Sequence, residues 1–317
     1  MCQGDKAMNK KRKSCFSAAL IAAITIGIAS STALAGGLLD LKFSEAQFSA
    51  PPSLIIDNEY WPLRPDSTPR VFTYIGESED ECVIDQISVN DIMYGATYIM
   101  GGAAPYGGLE VVQVVDTEWV FEELPDGVEC DTDLLLAEDA EDAIAELTLD
   151  WYLEDDQDNV WYVGEYSQSF EDECGQFDFD PTGSGIPDEC KEGSWEAGVI
   201  GGEGDDAVLG EAGIVVPGNE PVTGEPLTPG TFYLQEVAFE AEDMAKILKL
   251  DASVHEAFPE ETDYEGCRKV KEWNPFEHGS SVEHKWYCSG PGLVLIEGIG
   301  GGPTEVEELV DISPPLP

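Results

Sequence analysis

Short runs of β-branched and aromatic residues, separated by Gly, Pro and Asp, dominate the chain from Tyr60 onward. Such runs are typical of strands, and the residues between them are typical of turns. The clearest hairpin is 147–163, whose turn at 154–159 contains Asp and Asn, residues that tolerate the left-handed conformation. The pattern predicts strands at 70–75, 81–89, 109–115, 147–153, 160–166, 231–239, 245–254, 268–273, 282–288 and 292–297.

Three stretches are less regular. Residues 134–147 have a helical composition of Leu, Ala and acids, whereas charges within 245–254 break a helical stripe and favour a strand. Residues 198–229 are rich in Gly, Pro and acids, which predicts a long loop. We therefore predict a mainly β, antiparallel fold, built as a strongly curved sheet or an incomplete barrel, with loop insertions and little helix.

The N-terminus has the pattern of an export signal. A basic stretch at 10–13 precedes an apolar run at 18–30 and the tripeptide Ala33-Leu34-Ala35, which predicts cleavage after Ala35. An uncleaved anchor is the alternative, but the apolar run is short and rich in Ala and Ser. We expect no membrane span after signal removal, and a secreted or periplasmic location. The predicted organisation is a signal peptide at 1–35, a lead-in at 36–57, one β domain at 58–298 and a tail at 299–317.

Cysteine usage points to the same compartment. Two of the eight cysteines leave with the signal, and six stay in the exported chain. An even number of cysteines in an exported protein predicts disulfides, although many connectivities are possible in principle. The simplest pairing is local in sequence: Cys82–Cys130, Cys174–Cys190 and Cys267–Cys288.

Charge excludes some partners. The chain has 15 basic and 65 acidic residues, and removal of residues 1–35 leaves 10 against 64, a net charge of −54. Nucleic acids and anionic membrane surfaces need Lys/Arg clusters that this composition does not supply. The acids are dispersed over the chain, which favours surface adaptation to a saline medium over a calcium-loaded protein.

Several blocks rich in aromatic residues and acids occur in order between residues 60 and 297. They are YWPLRP at 60–65, DWYLEDDQDNVWYVGE at 150–165, GSWEAG at 193–198, QE at 235–236, AED at 241–243, KEWNP at 271–275 and VEHKWY at 282–287. Together they resemble a family of exported, β-rich bacterial proteins of unassigned function. The resemblance implies no activity, and residues 128–145 and 167–192 depart from it as insertions.

One string in the second insertion resembles a calcium loop. Residues 178–189 fit the EF-hand-type spacing D-x-D-x-T-G-x5-E, in which alternating oxygens surround a Gly turn and the last acid is bidentate. The candidate metal ligands are Asp178, Asp180, Thr182, Ser184 and Glu189, and calcium is the candidate cofactor. The loop lacks convincing flanking helices, so a disulfide-closed acidic loop that binds nothing is the alternative.

Other acids suggest weaker hypotheses. Asp155, Asp156 and Asp158 lie in the predicted hairpin turn, where acids are common for local backbone reasons. Asp150, Glu165 and Glu196 each lie near a Trp in the sequence, and paired carboxylates could hydrolyse glycosides. In so acidic a chain such pairs arise by chance, and no catalytic or organic-cofactor residue is assigned.

Three function classes therefore stay open: a non-catalytic binding or scaffolding protein, which we favour, a carbohydrate-active hydrolase, and a structural surface component. The ligand and the oligomeric state are not readable from the sequence. A deep pocket lined by Trp and convergent acids would favour the hydrolase, an apolar cavity would favour a carrier of apolar ligands, and a closed core would favour the structural component.

Overall fold

A computed structural model describes residues 38–39, 41–49, 54–64, 69–77, 81–122, 124, 127–137, 140–191, 193–202, 207–218, 227–239, 242–257, 262–275, 282–299 and 306–313. The predicted signal peptide lies outside these residues. The strands are β1 Arg70–Glu77, β2 Glu81–Val89, β3 Thr97–Ile99, β4 Glu110–Glu122, β5 Ile144–Glu154, β6 Val160–Ser169, β7 Trp195–Glu196, β8 Ile200–Gly201, β9 Val208–Leu209, β10 Glu211–Val216, β11 Phe232–Leu234, β12 Glu236–Val237, β13 Met244–Ala257, β14 Thr262–Trp273, β15 Val282–Cys288, β16 Gly292–Gly298 and β17 Val306–Ser313. The helices are short 3₁₀ turns at Phe43–Glu45, Thr132–Leu136, Ala140–Ala143, Asp172–Gln176 and Asp188–Cys190.

One antiparallel sheet contains nearly all of these strands. Its order is β11-β13-β14-β15-β16-β17-β1-β2-β4-β5-β6-β10-β12, with β3 beside β4 and β7 beside β6. The two ends of this order, β11 and β12, are separated in sequence by Gln235 alone. A single extended segment thus pairs with β13 through one half and with β10 through the other. The sheet is nearly closed into a barrel, which confirms the predicted fold class.

Most predicted strands are present, but three regions differ from the sequence prediction. The predicted tail contains β17, which pairs with both β1 and β16. The predicted loop at 198–229 contains β10, which pairs with β6. Both strands lie between neighbours that would otherwise expose unpaired backbone groups, so tertiary pairing outweighs their acid-rich or Gly-rich local sequence. Residues 134–147 form 3₁₀ turns and the start of β5.

Three disulfides join the predicted local pairs Cys82–Cys130, Cys174–Cys190 and Cys267–Cys288. Such bonds form and persist in oxidising compartments, so the chain is an extracytoplasmic protein, in agreement with the predicted secreted or periplasmic location. In the described part of the chain, no helix has the length and apolar character needed to cross a membrane.

The second insertion covers an apolar patch on one face of the sheet. Val115, Leu147 and Leu149 are buried there, and Phe170 and Phe179 pack against them. These strand residues alternate with acids and polar residues that point to the opposite face. The disulfide-closed segment therefore shields apolar side chains on one side of the sheet while polar side chains line the other.

Candidate functional site

An acidic cavity of about 350 Å³ lies against the polar face of the curved sheet. Eleven carboxyl side chains line it, and Lys285 is the single Lys or Arg among its described lining residues. The acids are Asp85, Asp116, Glu118, Glu146, Asp150, Glu165, Glu236, Asp243, Glu272, Glu283 and Glu307. Trp61, Tyr152, Tyr162 and Tyr287 supply aromatic surface to the same cavity.

Strand periodicity brings these acids together. Side chains two residues apart share a face of a strand, so β5 directs Glu146, Asp150 and Tyr152 into the cavity. The register also aligns acids across strands, because Asp85 lies opposite Glu118 and Glu118 lies opposite Glu146. Neighbouring strands thus form a row of carboxyls.

A bulge in β6 adds Glu165 to the cavity. Tyr162 and Glu165 are three residues apart and would face opposite sides of a regular strand, but the β5–β6 register shifts between Trp151 and Tyr152. The shift lies beside Gly164, whose φ is 147°. A Cβ at Gly164 would lie 2.6 Å from the carbonyl oxygen of Trp195, so glycine is required where β7 pairs with β6.

Asp150 and Glu165 lie directly opposite each other on β5 and β6. The hydroxyl of Tyr162 lies 2.5 Å from Asp150 Oδ1 and 2.5 Å from Glu165 Oε2. Burial, together with the charge of Asp116, raises the pKa of Asp150 to about 8. Burial and the charges of Glu236 and Asp150 raise the pKa of Glu165 well above its usual range. Both carboxyls therefore keep their protons to higher pH than ordinary carboxyls do.

A second group of acids surrounds Asp85. Burial raises the pKa of Asp85 to about 7, although a hydrogen bond with Asp116 opposes the shift. Burial and the charge of Asp85 raise the pKa of Asp116 well above its usual range. Burial and the charge of Glu146 raise the pKa of Glu118 to about 7. Asp85 Oδ1 is shielded from solvent and accepts no hydrogen bond from an N–H or hydroxyl group of the described residues.

Lys285, the one basic residue among the described lining residues, already pairs with two acids. Lys285 Nζ lies 2.9 Å from Glu272 Oε2 and 3.4 Å from Glu283 Oε2. The hydroxyl of Tyr287 donates to Glu272 Oε1 at 3.0 Å. Burial lowers the pKa of Lys285, but the charges of Glu272 and Glu283 outweigh burial and hold it well above its usual range. Because its charge is balanced by Glu272 and Glu283, this ammonium group does little to neutralise the remaining acids.

Glu196 does not join the pair with which it was grouped from the sequence. Its Oε1 accepts hydrogen bonds from the backbone of Gly101 at 2.5 Å and Gly102 at 3.0 Å. Its Oε2 lies 3.3 Å from the hydroxyl of Tyr98. Glu196 thus fixes the 101–102 loop, and only Asp150 and Glu165 of the three reach the cavity.

The predicted calcium loop has its own internal hydrogen bonds. Asp180 Oδ1 accepts from the backbone N of Thr182 at 2.9 Å and from its hydroxyl at 2.7 Å, and these bonds lower the pKa of Asp180. Asp178 and Glu189 are exposed. Nowhere in the described ranges do three or more His, Cys, Asp or Glu side chains gather closely enough to hold a metal ion. Calcium binding by this loop stays a prediction.

Two of the three turn aspartates, Asp155 and Asp158, have the local role expected of them, whereas Asp156 Oδ1 accepts from the backbone N and the hydroxyl of Ser49, each at 2.8 Å. Asp155 is buried and its Oδ1 accepts from the backbone N of Gln157 and Asn159 at 2.9 and 3.0 Å. Its Oδ2 accepts from Trp161 Nε1 at 2.9 Å, and Asp158 takes the left-handed conformation with φ 62°. These contacts fix the β5–β6 turn.

Comparisons with known proteins identify no family for this chain. No family model and no curated protein matches it. Two solved structures share 10% and 8% sequence identity with it. One, from Bacteroides fragilis, is described as exported and YmcC-like in fold; it covers 78% of this chain and 97% of its own, with a TM-score of 0.33. The other, from Parabacteroides distasonis, is described as a lipoprotein; it covers 81% and 99%, with a TM-score of 0.27. At such TM-scores neither likeness supports an inference about function.

Proposed function

We propose that this is an exported, non-catalytic binding protein that holds a cationic ligand in its acidic cavity. The observation that carries the proposal is the charge balance of the cavity: its described lining residues include eleven carboxyls and one lysine, which is already paired with two of them. Buried carboxyls without compensating cations are costly. Binding of a cation would remove that cost and favour their ionised forms.

Neutral and anionic ligands fit this cavity less well. An anion would meet carboxylates and one neutralised ammonium group. A neutral sugar could accept hydrogen bonds from protonated carboxyls but would leave the charge imbalance unchanged at higher pH. The excess of carboxyl groups distinguishes this cavity from an ordinary protein interior, and that excess increases the affinity for a cation.

Thermal unfolding in the presence of defined cations tests the proposal. Sodium chloride, calcium chloride, magnesium chloride, arginine hydrochloride and spermidine hydrochloride are compared at pH 8 and matched ionic strength. We expect at least one cation to raise the melting temperature more than sodium does, because a ligand that binds the folded state stabilises it. The gain should fall in Glu307→Gln, which alters the cavity, and persist in Glu308→Gln, which alters the exposed next residue. If no cation exceeds sodium, the proposal is wrong.

Hydrolysis of a carbohydrate is the second candidate function. Trp61 and convergent acids line the cavity, which is the arrangement that would favour a hydrolase, and Asp150 and Glu165 lie side by side. However, a glycosidase pair needs one ionised carboxylate, whereas the pKa values of both are raised and Tyr162 contacts both. Release of reducing ends from a polysaccharide panel, lost in Asp150→Asn and in Glu165→Gln, would favour the hydrolase over the binding protein.

A further inference from the structure

We infer that the ligand of the acidic cavity is a linear organic polyamine, with several ammonium groups joined by short alkyl links, rather than a metal ion. This inference rests on the proposed function and names the class of cation. Four features carry it: the spread of the carboxyls, the aromatic surface of the cavity, its volume and a buried carboxyl, Asp85, whose side-chain partner is another acid.

The carboxyls are spread along the cavity instead of converging on a point. Glu146 and Asp150 lie on the same face of β5, four residues apart, and strand geometry separates them by about 13 Å. Asp85, Glu118 and Glu146 lie opposite one another on neighbouring strands and form one row of acids. Asp150 and Glu165 lie opposite each other and form a second row. Calcium needs six to eight oxygens around one centre, and the described acids nowhere gather in that way. A ligand with ammonium groups spaced along a chain matches these acids, since Asp116, opposite Thr148, lies between the Glu146 and Asp150 rows.

Aromatic rings line the same cavity as these acids. Tyr152 and Tyr162 stack at 5.0 Å between ring centroids, and Trp61 meets Tyr152 at 6.2 Å and Tyr287 at 5.8 Å. Aromatic faces attract alkylammonium groups, and the rings also contact methylene groups favourably. A hydrated metal ion gains nothing comparable from this surface.

The dimensions fit a small polyamine. A cavity of about 350 Å³ corresponds to roughly a dozen water molecules at about 30 Å³ each, enough space for about ten non-hydrogen atoms. Spermidine has that size, and with standard bond lengths of about 1.5 Å its terminal nitrogens are roughly 11 Å apart when extended. This reach is close to the separation of the two carboxyl rows.

Asp85 has another acid, Asp116, as its side-chain hydrogen-bond partner, where a cation would neutralise both. Its Oδ1 is buried, accepts no N–H or hydroxyl donor from the described residues, and belongs to a side chain that lines the cavity. Lys285 cannot fill this role, because Glu272 and Glu283 already hold its ammonium group. An ammonium group supplied by the ligand would provide three N–H donors at this end.

Calorimetric titration of the oxidised, exported chain with spermidine at pH 8 tests the inference, with calcium chloride titrated separately at the same ionic strength. We expect one spermidine per chain, affinity reduced at least about tenfold in Asp85→Asn and in Asp150→Asn, and unchanged affinity in Glu308→Gln. Melting temperatures of each variant, measured before titration, confirm that the protein tested is folded.

The outcomes separate this inference from the proposed function. If calcium binds more tightly than spermidine, or displaces it at equal concentration, the cavity still binds cations but the polyamine inference is wrong. Spermidine binding that Asp85→Asn and Asp150→Asn leave unchanged also overturns the inference. If neither spermidine nor any other cation binds, both the inference and the proposed function fail.

Discussion

Substitution of Asp85 by asparagine should stabilise the ligand-free protein at high pH. Burial raises the pKa of Asp85 from 3.8 to about 7. Between these values the native state keeps a proton that the unfolded chain has released, so stability falls as pH rises from about 4 to about 7. The difference of about three pKa units corresponds to about 4 kcal/mol at 1.36 kcal/mol per unit. Asp85→Asn removes this cost because asparagine does not ionise.

Thermal unfolding followed by circular dichroism at pH 4 and pH 8, at fixed ionic strength, measures the effect. We expect Asp85→Asn to melt close to wild type at pH 4 and roughly 8 °C higher at pH 8, at about 2 °C per kcal/mol for a protein of this size. Glu81→Gln is the matched control, because it removes one exposed negative charge from the same strand. If Asp85→Asn melts below wild type at pH 8, or shows the same shift at both pH values, the assigned cause of the pKa shift is wrong.

Three further predictions concern other parts of the chain. After signal removal the chain has 64 acidic and 10 basic residues, so its negative charges repel one another. The melting temperature should therefore rise between 0.1 and 1 M sodium chloride, as the screening length falls from about 10 to about 3 Å. A melting temperature that does not change with salt contradicts this. Replacing Cys174 and Cys190 together by serine should cost about 3 kcal/mol in unfolding free energy, measured by urea titration, and an unchanged midpoint contradicts it. If residues 178–189 bind calcium, Asp180→Ala and Glu189→Ala should weaken calcium binding in high monovalent salt. Identical calorimetric isotherms for the wild type and both variants would mean that this acidic loop binds no calcium.

The strands and disulfides could be predicted from sequence because their signals are local. The observed bounds of β2, Glu81–Val89, and β15, Val282–Cys288, equal the predicted ones. Pairing each cysteine with the next one along the exported chain likewise gave the simplest connectivity. In contrast, the sequence of β17 is rich in acids and reads as a tail, and only its pairing with β1 and β16 makes it a strand.

The cavity could not be predicted, for two physical reasons. Alternation assigns residues to two faces of a strand but does not say which face is covered. Glu146 and Asp150 alternate with Leu147 and Leu149 along β5, and because the second insertion covers the leucines, the acids face the cavity. The only local hint is the regular spacing of Glu146, Thr148 and Asp150 in one strand.

The second reason is that the cavity depends on the bulge in β6 and on the pairing of strands that are far apart in the sequence. In a regular strand, side chains alternate between the two faces, so Tyr162 and Glu165 would lie on opposite faces. The register shift beside Gly164 places both on the same face. Asp85 and Glu307 come from opposite ends of the β domain and meet because β1 lies between β2 and β17. No local pattern indicates such a juxtaposition.

Proton release on spermidine binding tests most directly whether the buried carboxyls hold the cation. A bound ammonium favours ionised carboxylates, so acids with raised pKa values, such as Asp85 at about 7 and Asp150 and Glu236 at about 8, should lose protons as the ligand enters. Titration calorimetry at pH 7 in two buffers of different ionisation enthalpy counts these protons. We predict release of about one proton or more per spermidine bound, reduced in Asp150→Asn and retained in Glu308→Gln. Equal binding enthalpies in the two buffers would mean that no proton leaves, and would contradict binding inside the acidic cavity.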